Sequence, residues 1–315
     1  MPLAGGSLRF AEVEILSRDA PPRVVTAASL DDAVLAPLMN PRGLIAGLPG
    51  DRTAIMGILN ITPDSFSDGG RHADAEIAVA AAYAMTAVGA DIIDIGAKST
   101  RPRAAPVDAA TESARLAPVL AGLTDIHWSI DTRKAAIMAQ ALDAGAALVN
   151  DVSALGHDPA ALALVAARGC PVVLMHAQGD PQTMQDAPRY DDALLDVYDW
   201  LAARIAVCVA AGIDRSRIVA DPGIGFGKGL AHNLALLRGL SLFHGLGVPL
   251  LLGASRKALI GRIAGDDAPN ARLPGSLALA LHAAAQGVQI VRVHDVAETA
   301  QALAVWRGAN PPQSR

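Results

Sequence analysis

Short apolar, β-branched runs recur along the chain, and each gives way to a polar residue. The runs end at Asn60, Gly96, Asp131, Asp151, His176, Asp221, Gly253 and His294. The stretches between them read as helices. Residues 73–88 are Ala-rich with apolar positions at helical spacing, 190–211 are long and amphipathic, and 273–286 follow the seventh run's shorter helix. A last helix over 296–306 closes the set. Continuous apolar strands alternating with helices predict a parallel sheet buried on both faces. Eight such units favour a closed (β/α)8 TIM barrel, with an open doubly wound sheet as the alternative.

The flanks break the pattern. Residues 1–50 carry Pro21, Pro22, Pro37, Pro41 and Pro49 with short strand-like pieces such as 10–16, and are assigned to an N-terminal extension of unknown role. The barrel is assigned to 51–307. Residues 308–315, with Pro311 and Pro312, form a C-terminal tail.

The polar ends are informative as a set. Asn60, Asp94, Asp131, Asn150, His176, Asp221, Ser255 with Lys257, and Arg292 with His294 all fall at or just past a strand's carboxyl end. In a barrel those ends converge on one face, where catalytic residues belong. One Asp or Asn there would read as a helix cap. Eight in succession point to a shared polar pocket.

Composition narrows the classes. Of 315 residues, 52% are hydrophobic and the net charge is −5, which argues against nucleic acid as a partner because phosphate-backbone binding calls for a basic surface. The longest apolar stretch, 77–90, is too short to span a bilayer and stops at Asp91. The first ten residues lack a signal peptide's apolar core. A cytoplasmic protein without membrane contact is expected. Cys170 and Cys208 form no metal-type cluster and read as buried small hydrophobes in a reducing compartment.

Several segments carry candidate chemistry. The loop from Asn60 to Gly70 is longer than an ordinary βα connection and can close over a substrate. Arg101, in Ser99-Thr100-Arg101-Pro102, is a natural partner for a carboxylate or phosphate. Asp131 and Asn150, at adjacent strand ends, can read a heterocycle with several donors and acceptors. Asp221-Pro222-Gly223-Ile224-Gly225-Phe226-Gly227-Lys228 lets backbone approach a ligand closely, but lacks the Gly-Lys-Ser/Thr ending of a phosphate loop. Residues two apart on a strand share a face, so Arg292 and His294 project together as a plausible anion site. Barrels often hold phosphate near strands seven and eight.

Taken together, the Asn-Ile-Thr-Pro-Asp-Ser-Phe-Ser, Ser-Thr-Arg-Pro, Asp-Pro-Gly-Ile-Gly-Phe-Gly-Lys, Ser-Arg-Lys and Arg-Val-His-Asp stretches resemble the dihydropteroate synthase family, over about residues 54–303. The resemblance implies a barrel enzyme that condenses a dihydropterin pyrophosphate with 4-aminobenzoate and releases pyrophosphate. It implies that Asp131, Asn150, Asp221 and Lys257 hold the pterin ring, with Phe226 and Met175 in apolar contact. Asn60, Arg292 and His294 would surround the pyrophosphate and carry the catalysis, with Mg2+ as cofactor and Asn60 among its ligands. Thr100, Arg101, Ser255 and Arg256 would form the aminobenzoate site, and a homodimer is expected. The chain departs from the family at Lys98, where Glu is usual, and at Arg103, where Gly is usual. Both changes add positive charge to the second loop. A pterin-binding methyltransferase-type domain or a weakly active paralogue are the alternative readings.

Overall fold

The computed structural model describes residues 1–61, 70–97, 107–179, 183–266 and 268–311, with backbone alone at 70–73, 269 and 270. Eight parallel strands form its centre: β3 (Ala54–Asn60), β4 (Ile92–Gly96), β5 (Trp128–Asp131), β6 (Leu148–Asp151), β7 (Val172–Met175), β8 (Ile218–Asp221), β9 (Leu251–Leu252) and β10 (Ile290–Val293). Neighbours in the sheet run β8, β7, β6, β5, β4, β3, β10, β9. The two ends meet where Ala220 of β8 bridges Leu250, just before β9, in parallel, and the Ala220 amide donates to Pro249 O at 2.9 Å. The sheet therefore closes, and the (β/α)8 expectation holds over the open alternative.

The strands read as unbroken apolar runs because both of their faces are covered. Every residue of β4 and of β7 is buried. One face meets the surrounding helices: α2 (Gly70–Ala87), α3 (Ala109–Leu120), α4 (Ala135–Asp143), α5 (Ala161–Arg168), α6 (Ala193–Ala210), α7 (Leu230–Arg238), α8 (Ala258–Ala264), α9 (Leu273–Ala285) and α10 (Val296–Ala309). The other face fills the interior. Met56, Ile92, Leu148, Val173, Val219, Leu251 and Ile290, each from a different strand, form one cluster there.

Two residues of the extension complete that interior cluster. Ile45 and Leu48 are buried within it, so the chain just before β3 plugs the amino-terminal end of the barrel. The rest of the extension lies outside. A hairpin of β1 (Glu12–Ile15) and β2 (Arg23–Thr26) precedes helix α1 (Asp32–Met39). Arg18, in the hairpin's connection, reaches Asp196 at 2.7 Å and Asp199 at 2.6 Å on α6. Arg52 pairs with Asp91 at 2.9 Å, and Asp91 also accepts from the Ile55 amide at 2.8 Å, which fixes the entry of β3 beside that of β4.

Candidate active site

The carboxyl end of the barrel gathers charged side chains that an apolar sheet must have a reason to hold. Arg292, on β10, reaches across the mouth. Its Nε donates to Asp94 Oδ2 at 2.6 Å and its Nη2 to Asp131 Oδ2 at 2.9 Å. Asp94 is fully buried and also accepts from Ser129 Oγ at 2.6 Å and Asn150 Nδ2 at 2.8 Å. The network thus joins β4, β5, β6 and β10. Burial opposes charge on Arg292, but Asp94, Asp131 and Asp221 outweigh it and hold the guanidinium above its ordinary value. Asp94 organises this network, although in sequence it stands out only as one of the polar strand ends, with no specific ligand role. The available signal was a single carboxylate inside Ile92-Ile93-Asp94-Ile95, where burial demands a partner.

Asp221 closes the opposite wall. A Cβ placed on Gly253 would lie 3.9 Å from Arg292 Cβ and 3.9 Å from Asp221 Oδ2, so these two groups flank one bare glycine. The expected ring-binding and anion-binding groups therefore share one rim. Burial raises the Asp221 carboxyl above its usual range, against the pull of Lys257, the Gly223 amide, Lys228 and Arg292. Gly223 donates that amide bond at 2.7 Å. It sits at φ +68°, and a Cβ there would come within 1.9 Å of His176 O. Only glycine fits both conditions.

The loop after Asp221 is tied down from within by Lys228, which is 2% exposed. Its Nζ donates to Gly223 O at 2.9 Å, Phe226 O at 3.0 Å and His176 O at 3.2 Å, and lies 2.8 Å from His176 Nδ1. The lysine of this motif thus turns inward to carbonyls. Burial pushes its amine down to about 7 against the attraction of Asp221, with Lys257 adding to the drop. Burial likewise lowers His176 to about 3, assisted by Lys228.

Lys257 meets the same loop from β9's side. Its Nζ donates to Ile224 O and stands 4.5 Å from the centroid of the Phe226 ring. Burial lowers it to about 8, opposed by Asp221 and reinforced by Arg292. Phe226 and Met175 line a cavity of about 260 Å³ together with Arg133, Ser153, Met184 and Trp200. A larger cavity, about 440 Å³, lies at the other end of the barrel, away from these residues.

His294 is set by Ser255, whose Oγ lies 3.0 Å from His294 Nδ1 and accepts from the His294 amide at 3.1 Å. Arg256 is turned elsewhere. Its guanidinium forms a two-pronged pair with Asp295, including an Nε to Oδ2 bond of 3.0 Å, while its amide donates to Ser276 Oγ at 2.9 Å. Asn60 ends β3 half-buried, its Oδ1 3.7 Å from where a side chain at Gly96 would begin. Thr100, Arg101, Lys98, Arg103 and the loop 62–69 lie outside the described residues. Among the described residues no three His, Cys, Asp or Glu side chains form a metal-binding group, and no helix is long and apolar enough to cross a membrane.

Residues 56–294 match the family described as pterin binding enzyme. The dihydropteroate synthase of Escherichia coli strain K12 is 47% identical over 254 residues, covering 80% of this chain and 89% of the relative. That of Neisseria meningitidis serogroup B is 48% identical over 263 residues, covering 81% and 92%. The chain belongs to the dihydropteroate synthase family of pterin-binding enzymes. Its activity is accordingly that of a transferase in folate biosynthesis. Among solved structures, a Xanthomonas albilineans dihydropteroate synthase with 4-aminobenzoic acid superposes with a TM-score of 0.78 at 46% identity, over 83% of this chain and 94% of that one. The same enzyme in complex with 7,8-dihydropteroate gives 0.77 at 43%, over 86% and 99%.

Proposed function

We propose that this site joins 6-hydroxymethyl-7,8-dihydropterin pyrophosphate to 4-aminobenzoate, giving 7,8-dihydropteroate and pyrophosphate. The observation that carries the reading is the pair of groups flanking Gly253: an acid suited to a heterocycle's N–H edge, and an arginine suited to a diphosphate, on one rim. The Xanthomonas albilineans relative has been solved with 4-aminobenzoic acid and with 7,8-dihydropteroate, one substrate and the product of this reaction.

The chemistry of the residues supports a division of labour. Asp221, Asp131 and Asn150 offer acceptors and an amide to the 2-amino-4-oxo edge of the pterin, and Lys257 donates to ring acceptors. Phe226 and Met175 supply apolar contact. Arg292 commits Nε and Nη2 to Asp94 and Asp131, which leaves Nη1 for diphosphate oxygens beside His294. Thr100, Arg101, Ser255 and Arg256 are assigned to the aminobenzoate. Arg256 would have to exchange Asp295 for the substrate carboxylate, so the Ser255 hydroxyl is the nearer donor.

No nucleophilic side chain is needed. The aryl amine's lone pair forms the new C–N bond, the C–O electrons leave with pyrophosphate, and the amine gives up a proton. The side chains position both reactants and neutralise the departing charge. Mg2+ fits the donor set: it prefers oxygen ligands and retains waters, so the Asn60 amide oxygen plus diphosphate oxygens suffice. When bound, it would supply Lewis-acid stabilisation of the leaving group. We also read the chain as a cytoplasmic homodimer. Its two cysteines are free and buried, and α9 carries Leu277 partly exposed.

Purified protein given both substrates and Mg2+ should release pyrophosphate and form dihydropteroate in equal amounts. Pterin binding without pyrophosphate release overturns the catalytic assignment.

A further inference from the structure

The larger cavity, of about 440 Å³, lies at the amino-terminal end of the barrel, roofed by the extension and the last turns of α10. Its volume is in the range of small-molecule sites. Leu48 and Trp306 give it an apolar and aromatic wall. Its charge is lopsided. Arg9, Arg42, Arg52 and Arg307 line it against one carboxylate, Asp51. Arg52 is neutralised by Asp91. The guanidinium groups of Arg307 and of exposed Arg9 form no hydrogen bond or ion pair among the described residues.

Arg42 is the most telling of the four. Its Nη atoms donate to the carbonyls of Pro37 at 2.6 Å, His244 at 2.9 Å and Asn40 at 3.3 Å. Those are neutral acceptors, and its Nε is buried with no partner at all. Burial brings the group down to about 10, and a second cation, Arg215, adds to the drop. Arg42 is thus a cation met only by neutral carbonyls, and together with Arg9 and Arg307 it leaves surplus positive charge along the cavity, which favours an anion there. Arg9, Arg42 and Arg307 all lie outside residues 56–294, the part shared with the family.

We propose that this cavity is a second ligand site, distinct from the catalytic mouth, for a small organic anion with a flat apolar body and an acidic group. The acid would meet Arg9, Arg42 and Arg307, and the apolar body would lie against Trp306 and Leu48. Arylsulfonates and arylcarboxylates share this chemistry.

The test is a fluorescence titration with anilinonaphthalene sulfonate, run with the catalytic site saturated with 6-hydroxymethylpterin. The wild type should bind one equivalent. The Arg9→Ala/Arg307→Ala variant should bind at least tenfold more weakly, with dihydropteroate formation unchanged. The uncharged N-phenyl-1-naphthylamine should bind the wild type at least tenfold more weakly than the sulfonate, a comparison independent of the variant's folding. Equal binding of the charged and uncharged probes, unchanged affinity in the double variant, or loss of the probe on pterin saturation would each overturn the proposal.

Discussion

Arg292 and Asp94 stand 198 residues apart in sequence and meet through a 2.6 Å bond from Nε to Oδ2. Asp94 is the shared acceptor for Arg292, Ser129 and Asn150, and all of it is buried. Asp94→Ala would leave Arg292 Nε and the Asn150 amide without their acceptor, with Asp131 alone still paired to the guanidinium. Removing one member of such a pair costs about 3–5 kcal/mol. The expected loss of stability in urea denaturation is of that size, with pyrophosphate release falling as Arg292 loses its anchor. A variant as stable as the wild type would show that the network contributes little.

Lys228 gives a sharper separation of structure from binding. Its amine holds the Gly223 and Phe226 carbonyls and ties them to His176 O after β7, so the pterin-facing loop depends on one buried cation. Lys228→Met keeps the volume and drops the donors. Pterin affinity measured by calorimetry should fall by at least tenfold, about 1.4 kcal/mol, while Lys228→Arg should recover part of it. An unchanged affinity for Lys228→Met contradicts the role assigned to the loop.

These two cases mark what was legible in sequence. The eight strands stood out because each is buried on both faces and so reads as an apolar run; β9 is only two residues long, yet its polar exit at Ser255 and Lys257 still marked it. Helices at 273–286 and 296–306 were equally clear, the latter extending to Ala309. Ile45 and Leu48 escaped notice because a plug of two apolar residues among prolines has no period to detect. Asp94 was visible only as a polar strand end, since its importance comes from partners on three other strands. Arg256 illustrates the reverse limit: its neighbours in sequence suggested a ligand, while Asp295, 39 residues away, holds its guanidinium.

Buried lysines also set a pH dependence with an unusual direction. Lys228 falls to about 7 and Lys257 to about 8, both from 10.5. Between the folded and unfolded values the unfolded chain binds more protons, so stability rises with pH. The cost of burying each charged amine is fully present below its folded value, about pH 7 for Lys228 and about pH 8 for Lys257, and is relieved as pH climbs from there toward 10.5. Asp221, Lys257 and His176 face Lys228 and shape the midpoint. The difference in unfolding free energy, wild type minus Lys228→Met, should therefore increase from about pH 7 toward 10.5, by up to about 1.4 kcal/mol per unit. A flat difference across that window would mean that Lys228 keeps an ordinary pKa in the folded chain.

Lys257 should reveal itself in ligand binding over the same range. Its donation to a pterin acceptor is strongest from the charged amine, which predominates below about pH 8. Pterin affinity should decline on the alkaline side of that value, and Lys257→Gln should remove the alkaline limb together with part of the affinity at neutral pH. Persistence of the limb in Lys257→Gln would assign it to another group.

His294 and Ser255 test whether the rim is divided as proposed. The serine hydroxyl is 3.0 Å from His294 Nδ1 and accepts from the His294 amide, so it sets where the ring faces. If that ring serves the diphosphate, His294→Ala should weaken the pyrophosphate-bearing pterin far more than free 6-hydroxymethylpterin. A charge-assisted hydrogen bond is worth about 1.5–3 kcal/mol, which corresponds to roughly 10- to 150-fold for the first ligand and little change for the second. Ser255→Ala should produce the same selectivity at smaller size, because the imidazole remains but loses its orientation. Competitive calorimetry with both ligands decides the matter. Equal losses for the two ligands would make His294 a packing residue and return the leaving-group contacts to Arg292 and Asn60 alone.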